Sequence, residues 1–356
     1  MADTGDAPSV KKPKIAIREG CLLGYGNPLL DISVQGNTEF LEKYDLKADN
    51  AILAEDKHKG MYDDMTETFD VEYVPGGATL NSIRIAQWLC GEPNATTYFG
   101  CINEDKYGKI LCEKAKNDNV NFVYQKTDKE PTGTCAVIVT GTSRSLCANL
   151  AAANCFTEEH LDVEENWNLV EKAKYYYISG FPLTVCPSAI LRIAKHSGEK
   201  GKTFTTNLSA PFLCQFFKDP MMQVMPYVDI LFGNETEADT FAKEHDFGTT
   251  DRKEIAKKIA ALPKDNKDKP RTVVITQGAD PVIVVKDGEV TEYPVIPIKP
   301  KDILDTNGAG DAFVGGYLAQ LVKGESEAKC VKCGNYAANL VIQRSGCTFP
   351  DVPDFE

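Results

Sequence analysis

The sequence predicts an α/β fold, with a central, mostly parallel sheet covered by helices on both faces and a smaller β-rich lobe attached. Three observations carry this expectation. Short runs that are apolar on both faces alternate with segments of helical spacing, the pattern of a sheet buried from both sides. Two stretches rich in β-formers, roughly 30–75 and 132–149, interrupt the alternation and together would build the second lobe. Polar or glycine residues follow the apolar runs: Asn27 and Asp31, Gly100, Gly180, Asn207, Asn234, and Thr276-Gln277-Gly278. Ligands bind at the carboxyl ends of parallel strands, so the site is expected along that edge.

The strands are expected at 21–26, 96–101, 175–179, 203–208, 228–232 and 271–276. The helices are expected at 80–90, 106–117, 188–197, 236–244, 253–262, 312–322 and 328–344. Asp287-Gly288, between two β-like runs, signals a hairpin. The charged stretch at 263–269 (PKDNKDK) reads as a solvated loop. On these limits, 1–20 is an N-terminal tail; 21–28, 78–130 and 150–356 form the large domain; 29–77 and 131–149 form the smaller one.

The chain has 356 residues, with 39 Lys+Arg against 52 Asp+Glu, a net charge of −13. That balance argues against a nucleic acid polymer as partner, since phosphate backbones need a basic face. A small anion held in one local positive pocket remains compatible with it. The N-terminal MADTGDAPSVKKPKIAIREG is polar, unlike a secretory leader, and no apolar run is long enough to span a membrane. Twelve cysteines then read as reduced thiols of a cytosolic protein. The cluster Lys11-Lys12-Pro13-Lys14 reads as part of a disordered tail, with a nuclear address as the alternative.

Several motifs fail on inspection. Gly24-Tyr25-Gly26-Asn27-Pro28-Leu29 begins like G-x-G-x-x-G, but Leu29 replaces the third glycine. Gly201-Lys202-Thr203 ends like a P-loop, but His196 stands where the opening glycine belongs. Cys330 and Cys333 form a lone C-x-x-C in a helical pattern and read as structural. His58, His160, His196 and His245 join no cysteine or carboxylate cluster and are expected at the surface or at helix ends.

The segment 305–313, DTNGAGDAF, is the strongest signal. A β-like run at 295–304 is expected to enter it and an amphipathic helix to leave it. Gly308, Ala309 and Gly310 carry almost no side chain, so N–H groups at the helix start can approach a ligand and form an anion hole. Asp311 falls in the first helical turn beside it. Cradle and acid together suit phosphoryl transfer: the hole holds charge and the carboxylate takes the proton of an attacking hydroxyl. Asn234 and Glu237 share a helical face, either to hold water around Mg²⁺ or simply to cap a helix. Pro75-Gly76-Gly77-Ala78 reads as a hinge, a backbone contact with ligand or a plain loop.

Together these segments resemble the ribokinase-like carbohydrate kinase family. The Gly76-Gly77 pair is similar to its first motif, DTNGAGDAFVGG at 305–316 to its second, and Asn234-x-x-Glu237 to its magnesium motif. The blocks GNPLLDIS (26–33), ILAEDKHK (52–59), NLAAANC (149–155), MPYVDILFGNETEA (225–238) and SGCTFPDVPDF (345–355) resemble its adenosine-phosphorylating members. The similarity extends over 22–356.

The resemblance implies a three-layer ribokinase-like sandwich with a lid, in a monomer. It implies phosphorylation of the 5′-hydroxyl of adenosine by Mg-ATP, giving AMP and ADP. Position by position, Asp311 would be the base, the amides of Gly308, Ala309 and Gly310 the anion hole, and Arg144 a phosphate contact from the lid. Asp31, with Gly76, Gly77 and Asn81, would hold the ribose; Asn27 would lie against the nucleoside, Phe181 would stack on adenine, and Asn307 would meet the purine edge. Thr276, Gly278 and Asn335 would line the ATP site, with Asn234 and Glu237 near Mg²⁺ through water. Pro182, Ala78 and Asn335 depart from the family pattern, which bears on the shape of the purine pocket. The alternatives are a related kinase acting on a free sugar or on guanosine and inosine, and a non-catalytic purine-binding protein of the same fold.

Overall fold

A computed structural model describes residues 17–48, 51–141 and 143–355; the side chains of residues 51 and 144 fall outside the described set. The basic cluster at 11–14 also lies outside it. The described strands are β1 (Leu22–Tyr25), β2 (Leu29–Gln35), β3 (Ala51–Leu53), β4 (Val71–Gly76), β5 (Thr96–Ile102), β6 (Asn121–Lys126) and β7 (Thr134–Thr140). They continue with β8 (Ser143–Asn149), β9 (Tyr175–Ile178), β10 (Thr203–Asn207), β11 (Ile230–Asn234), β12 (Thr272–Gln277), β13 (Asp280–Lys286) and β14 (Glu289–Tyr293).

Nine strands form the larger sheet, in the order β14-β13-β12-β11-β10-β9-β1-β5-β6. Pairing is parallel from β6 through to β12, and antiparallel only where β13 and β14 close one edge. Successive residues feed two separate cores. Leu23, Tyr25, Tyr176 and Ile178 pack on one face, while Leu22, Tyr98, Tyr177 and Phe232 pack on the other. With side chains alternating and both faces dry, a strand must be apolar throughout. Asp287 (φ 52°) and Gly288 (φ 82°) both take the left-handed conformation that a two-residue hairpin turn requires.

The smaller sheet contains five strands, ordered β3-β8-β7-β2-β4. Its pattern is one-sided. Ile32, Val34, Ala136 and Ile138 pack on a core that includes two short helices, Thr38–Lys43 and Met61–Thr68. The alternate residues Leu29, Asp31, Ser33, Cys135 and Val137 line a cavity instead. These two helices, and strand β6 with its half-buried NFVYQK, were not anticipated from the sequence.

One further expectation is corrected. The run 295–304 is not a strand: it is irregular apart from a single turn at Pro300–Asp302. Pro294, Pro297 and Pro300 each lack the N–H that a sheet ladder needs. Of the two places expected for the histidines, the structure shows the helix end: His58, His160 and His196 lie in last turns and are buried, and His245 caps Glu235–Glu244. The His58 ring, for example, accepts from the Glu55 N–H at 2.9 Å and lies 3.1 Å from the Tyr44 carbonyl oxygen.

Candidate active site

A cavity of about 680 Å³ lies between the smaller sheet and the residues that follow β1 and β9. Its wall includes the apolar Leu29, Val137, Leu146, Phe181, Phe212 and Phe217. The Phe181 and Phe212 rings sit 6.3 Å apart, and those of Phe212 and Phe217 sit 6.5 Å apart. The wall also carries the polar Asn27, Asp31, Asn81, Asp305, Asn307 and Asp311. A mostly apolar cavity with a few polar groups suits a ligand that has an apolar body and some hydroxyl groups. None of the four histidines lines it.

The polar lining residues come from distant parts of the chain. Asn27, just after β1, is 7% exposed, yet neither atom of its amide has a hydrogen-bond partner among the described residues. An orphaned amide costs folding free energy, so its persistence on a cavity wall points to a ligand that satisfies it. Asp31 lies on β2 opposite β4, where a Cβ at Gly76 would sit 2.3 Å from its carboxylate oxygen. Gly77 has φ +97°, and a Cβ there would meet the Asn27 carbonyl oxygen at 2.2 Å. The glycine pair is therefore demanded by packing: one makes room for a carboxylate, the other for backbone.

The helix Ala309–Val322 begins at Gly308, whose φ of 78° favours glycine. The turn before it is held by the buried Asp305 carboxylate, which accepts from the backbone and side-chain N–H groups of Asn307, both at 2.9 Å, and from the Gly346 N–H at 3.2 Å. Ala309 donates its N–H to the Thr306 carbonyl at 3.3 Å. Asp311, in the first turn, faces the cavity and accepts from Asn81 Nδ2 at 3.0 Å. Removal from bulk water pushes its carboxyl up to about 7; the Asn81 hydrogen bond opposes this and the charge of Glu237 adds to it.

Asn234 and Glu237 adopt a capping box at the start of the helix Glu235–Glu244. Asn234 Oδ1 accepts from the Glu237 N–H at 2.8 Å, while the Asn234 N–H and Nδ2 donate to the two Glu237 carboxylate oxygens at 3.0 and 2.9 Å. Burial pushes the Glu237 carboxyl up to about 7. Thr276 is the register partner of Asn234 at the ends of β12 and β11, and Gly278 follows in the turn to β13 with φ +58°. Asn335 donates to the Pro294 carbonyl at 3.1 Å and so pins the proline-rich segment. The structure thus brings Asn27, Asp31, Gly77, Asn81, Phe181, Asn307, Gly308 and Asp311 together around the cavity. Gly76, Ala309, Gly310, Asn234, Glu237, Thr276, Gly278 and Asn335 are not in its wall, and Arg144 is placed only as a backbone position on β8.

Comparison with known proteins decides the family. A model for "pfkB family carbohydrate kinase" matches residues 38–354. The chain belongs to the pfkB family of carbohydrate kinases. As a pfkB-family member it is a phosphotransferase. It is 57% identical over 337 residues to adenosine kinase 2 of Arabidopsis thaliana, covering 95% of this chain and 98% of that one. Its fold superposes on the adenosine kinase of Anopheles gambiae, solved in complex with di(adenosine-5) tetraphosphate, with a TM-score of 0.88 and 51% identity. That match covers 95% of this chain and 100% of the other. The adenosine kinase of Schistosoma mansoni, solved in complex with adenosine and AMP, gives 0.85 at 37% identity over 94% and 98% of the two chains.

Sequence reasoning missed part of this pfkB-family site. Phe212 and Phe217 line the cavity but carry no local motif. Asp305 was visible as the first residue of DTNGAGDAF, but its work as the acceptor that shapes the turn was not. The one available signal for the aromatic wall was the Phe-rich PFLCQFF at 211–217.

Proposed function

We propose that the chain is an ATP-dependent adenosine kinase: adenosine + ATP → AMP + ADP, a step of purine salvage. The observation that carries this reading is Asp311, a carboxylate at a glycine-started helix terminus on the wall of a mostly apolar cavity. The adenosine and nucleotide complexes of similar enzymes support the choice of substrate. In the proposed step the 5′-oxygen attacks the γ-phosphorus, the bond to the β–γ bridging oxygen breaks, ADP leaves, and Asp311 takes the hydroxyl proton. A base that titrates near 7 is well matched to that transfer.

The apolar lining would hold adenine, with Phe181 against its face and Asn307 at its edge. Asp31, Gly77 and Asn81 would take the ribose, and Asn27 would spend its orphaned amide on the nucleoside. Gly308 and Gly310 would offer N–H groups to the transferred phosphoryl. A Cβ at Gly310 would meet nothing within 4 Å, so packing does not explain the missing side chain there. Thr276, Gly278 and the helix face from Asn335 would receive ATP. Arg144, on β8, would approach the phosphates as the smaller sheet closes as a lid over residues 78–130 and 150–356. That sheet turns its open face to the cavity, which favours a monomer. Mg²⁺ fits Glu237, a buried carboxyl that accepts from neutral N–H donors, and Asn234 beside it. The ion would be held there through water and would offset phosphate charge.

An ADP-release assay over nucleosides and free sugars tests the reading. Adenosine is expected to dominate; equal turnover of ribose or inosine would overturn it. Among the described residues, no helix is long and apolar enough to cross a membrane.

A further inference from the structure

One helix, Ala78–Cys90, holds Asp311 at both ends. Ser82 Oγ donates to the Asp311 backbone carbonyl at 2.9 Å, and the neighbouring Asn81 donates from Nδ2 to the carboxylate at 3.0 Å. This helix packs closely on Ala309–Val322: a Cβ at Gly315 would meet Ile85 at 2.6 Å and the Ser82 carbonyl at 2.6 Å. The contact is therefore rigid, and small movements of one helix must be followed by the other. Asn81 is 7% exposed and lines the cavity, yet its Oδ1 has no partner among the described residues. A primary amide with one satisfied donor and one orphaned acceptor is half of a relay. A donor arriving at Oδ1 would polarise the amide and strengthen the N–H bond to Asp311.

We propose that Asn81 is a positioning residue that couples acceptor recognition to the base: Nδ2 orients the Asp311 carboxylate, and Oδ1 waits for a hydroxyl of the bound acceptor. This rests on the nucleoside-kinase reading above and extends it. An acceptor that fills Oδ1 finds its reacting hydroxyl before an oriented base, whereas one lacking that hydroxyl binds beside a looser carboxylate. The selectivity then appears in turnover as well as in affinity, the signature of an interaction used in the transition state.

The test compares the intact protein with Asn81→Asp and Asn81→Ala, measuring kcat and KM separately at saturating Mg-ATP, with adenosine and 2′,3′-dideoxyadenosine as acceptors. Asn81→Asp keeps an acceptor oxygen and loses the N–H donor. It is expected to hold KM for adenosine within about threefold while kcat falls at least about tenfold. Asn81→Ala, which loses both and suits a helix interior, is expected to lose kcat similarly. It should also turn over adenosine and the dideoxy analogue within about threefold of each other, whereas the parent protein prefers adenosine in kcat by about tenfold or more. If either variant raises KM and leaves kcat within threefold of the parent, Asn81 only binds ribose and the proposal is overturned. If the parent protein phosphorylates no nucleoside, the functional reading fails and this inference falls with it. That outcome is distinct, because the parent protein alone reveals it.

Discussion

Asp311 and Glu237 occupy the same place in their helices, the third residue of Ala309–Val322 and of Glu235–Glu244. Burial pushes both carboxyls up to about 7. Their surroundings differ. Glu237 is closed within its own turn, since Asn234 three residues earlier gives it two N–H donors and takes its N–H in return. Asp311 has a glycine as its cap, with no side chain to offer, and is held by Asn81, 230 residues away in sequence. A first-turn acid with a polar cap satisfies the helix; one with a glycine cap is left to face whatever enters the cavity. On the proposed function, the cap therefore separates the acid closed into its own turn from the acid left to take a substrate proton.

The contrast is sharpest in turnover. Asp311→Asn should reduce kcat by at least about a hundredfold, the scale of a lost general base, while calorimetry still detects adenosine binding. The comparison breaks if Glu237→Gln loses as much kcat as Asp311→Asn. Next in size is the pH dependence. Turnover should rise as Asp311 ionises through about 7 and fall about tenfold per unit on the acid side. Stability should move the opposite way. The folded state keeps these two protons up to about 7, whereas an unfolded carboxylate releases its own near ~4. Their contribution is therefore fully present below ~4 and lost as pH rises through about 7. Urea titrations at pH 5 and 8 should show a smaller loss in Asp311→Asn than in the parent protein.

Two amides repeat the comparison with smaller effects. The Asn27 amide has no partner among the described residues, so Asn27→Ala should weaken adenosine binding about tenfold without lowering the unfolding free energy. Asn234→Ala removes a cap and should cost about 1 kcal/mol of stability in urea unfolding. An Asn27 variant that unfolds readily, or an Asn234 variant of unchanged stability, would erase the distinction between an amide kept for a ligand and one spent on the fold.

Legibility followed the range of the interactions. Strands β1, β9, β11 and β12 showed in the sequence because each is largely apolar on both faces, a pattern few other elements share. Strand β6, half-exposed along its length, and the helices Thr38–Lys43 and Met61–Thr68, each only a turn or two long, left no comparable trace. The segment 295–304 had strand-like side chains, but its prolines removed the donors a ladder requires. DTNGAGDAF was readable because cradle and acid are consecutive. Phe212, Phe217 and the Asn81 contact were not, since each depends on a neighbour far along the chain.

From local pattern alone came a parallel sheet wrapped in helices, a glycine-started helix bearing an acid, and an acidic composition unsuited to polynucleotides. Helix period, strand alternation and capping residues all act over a few residues, so sequence spacing suffices to express them. Packing determined the rest. Gly76 is required by the Asp31 carboxylate across two strands, Gly77 by the backbone of Asn27, and the raised affinity of Asp311 for its proton by exclusion of water. Desolvation and steric fit arise only when distant segments meet, so the carboxylate proposed to react becomes distinguishable from the capping one only in the folded chain.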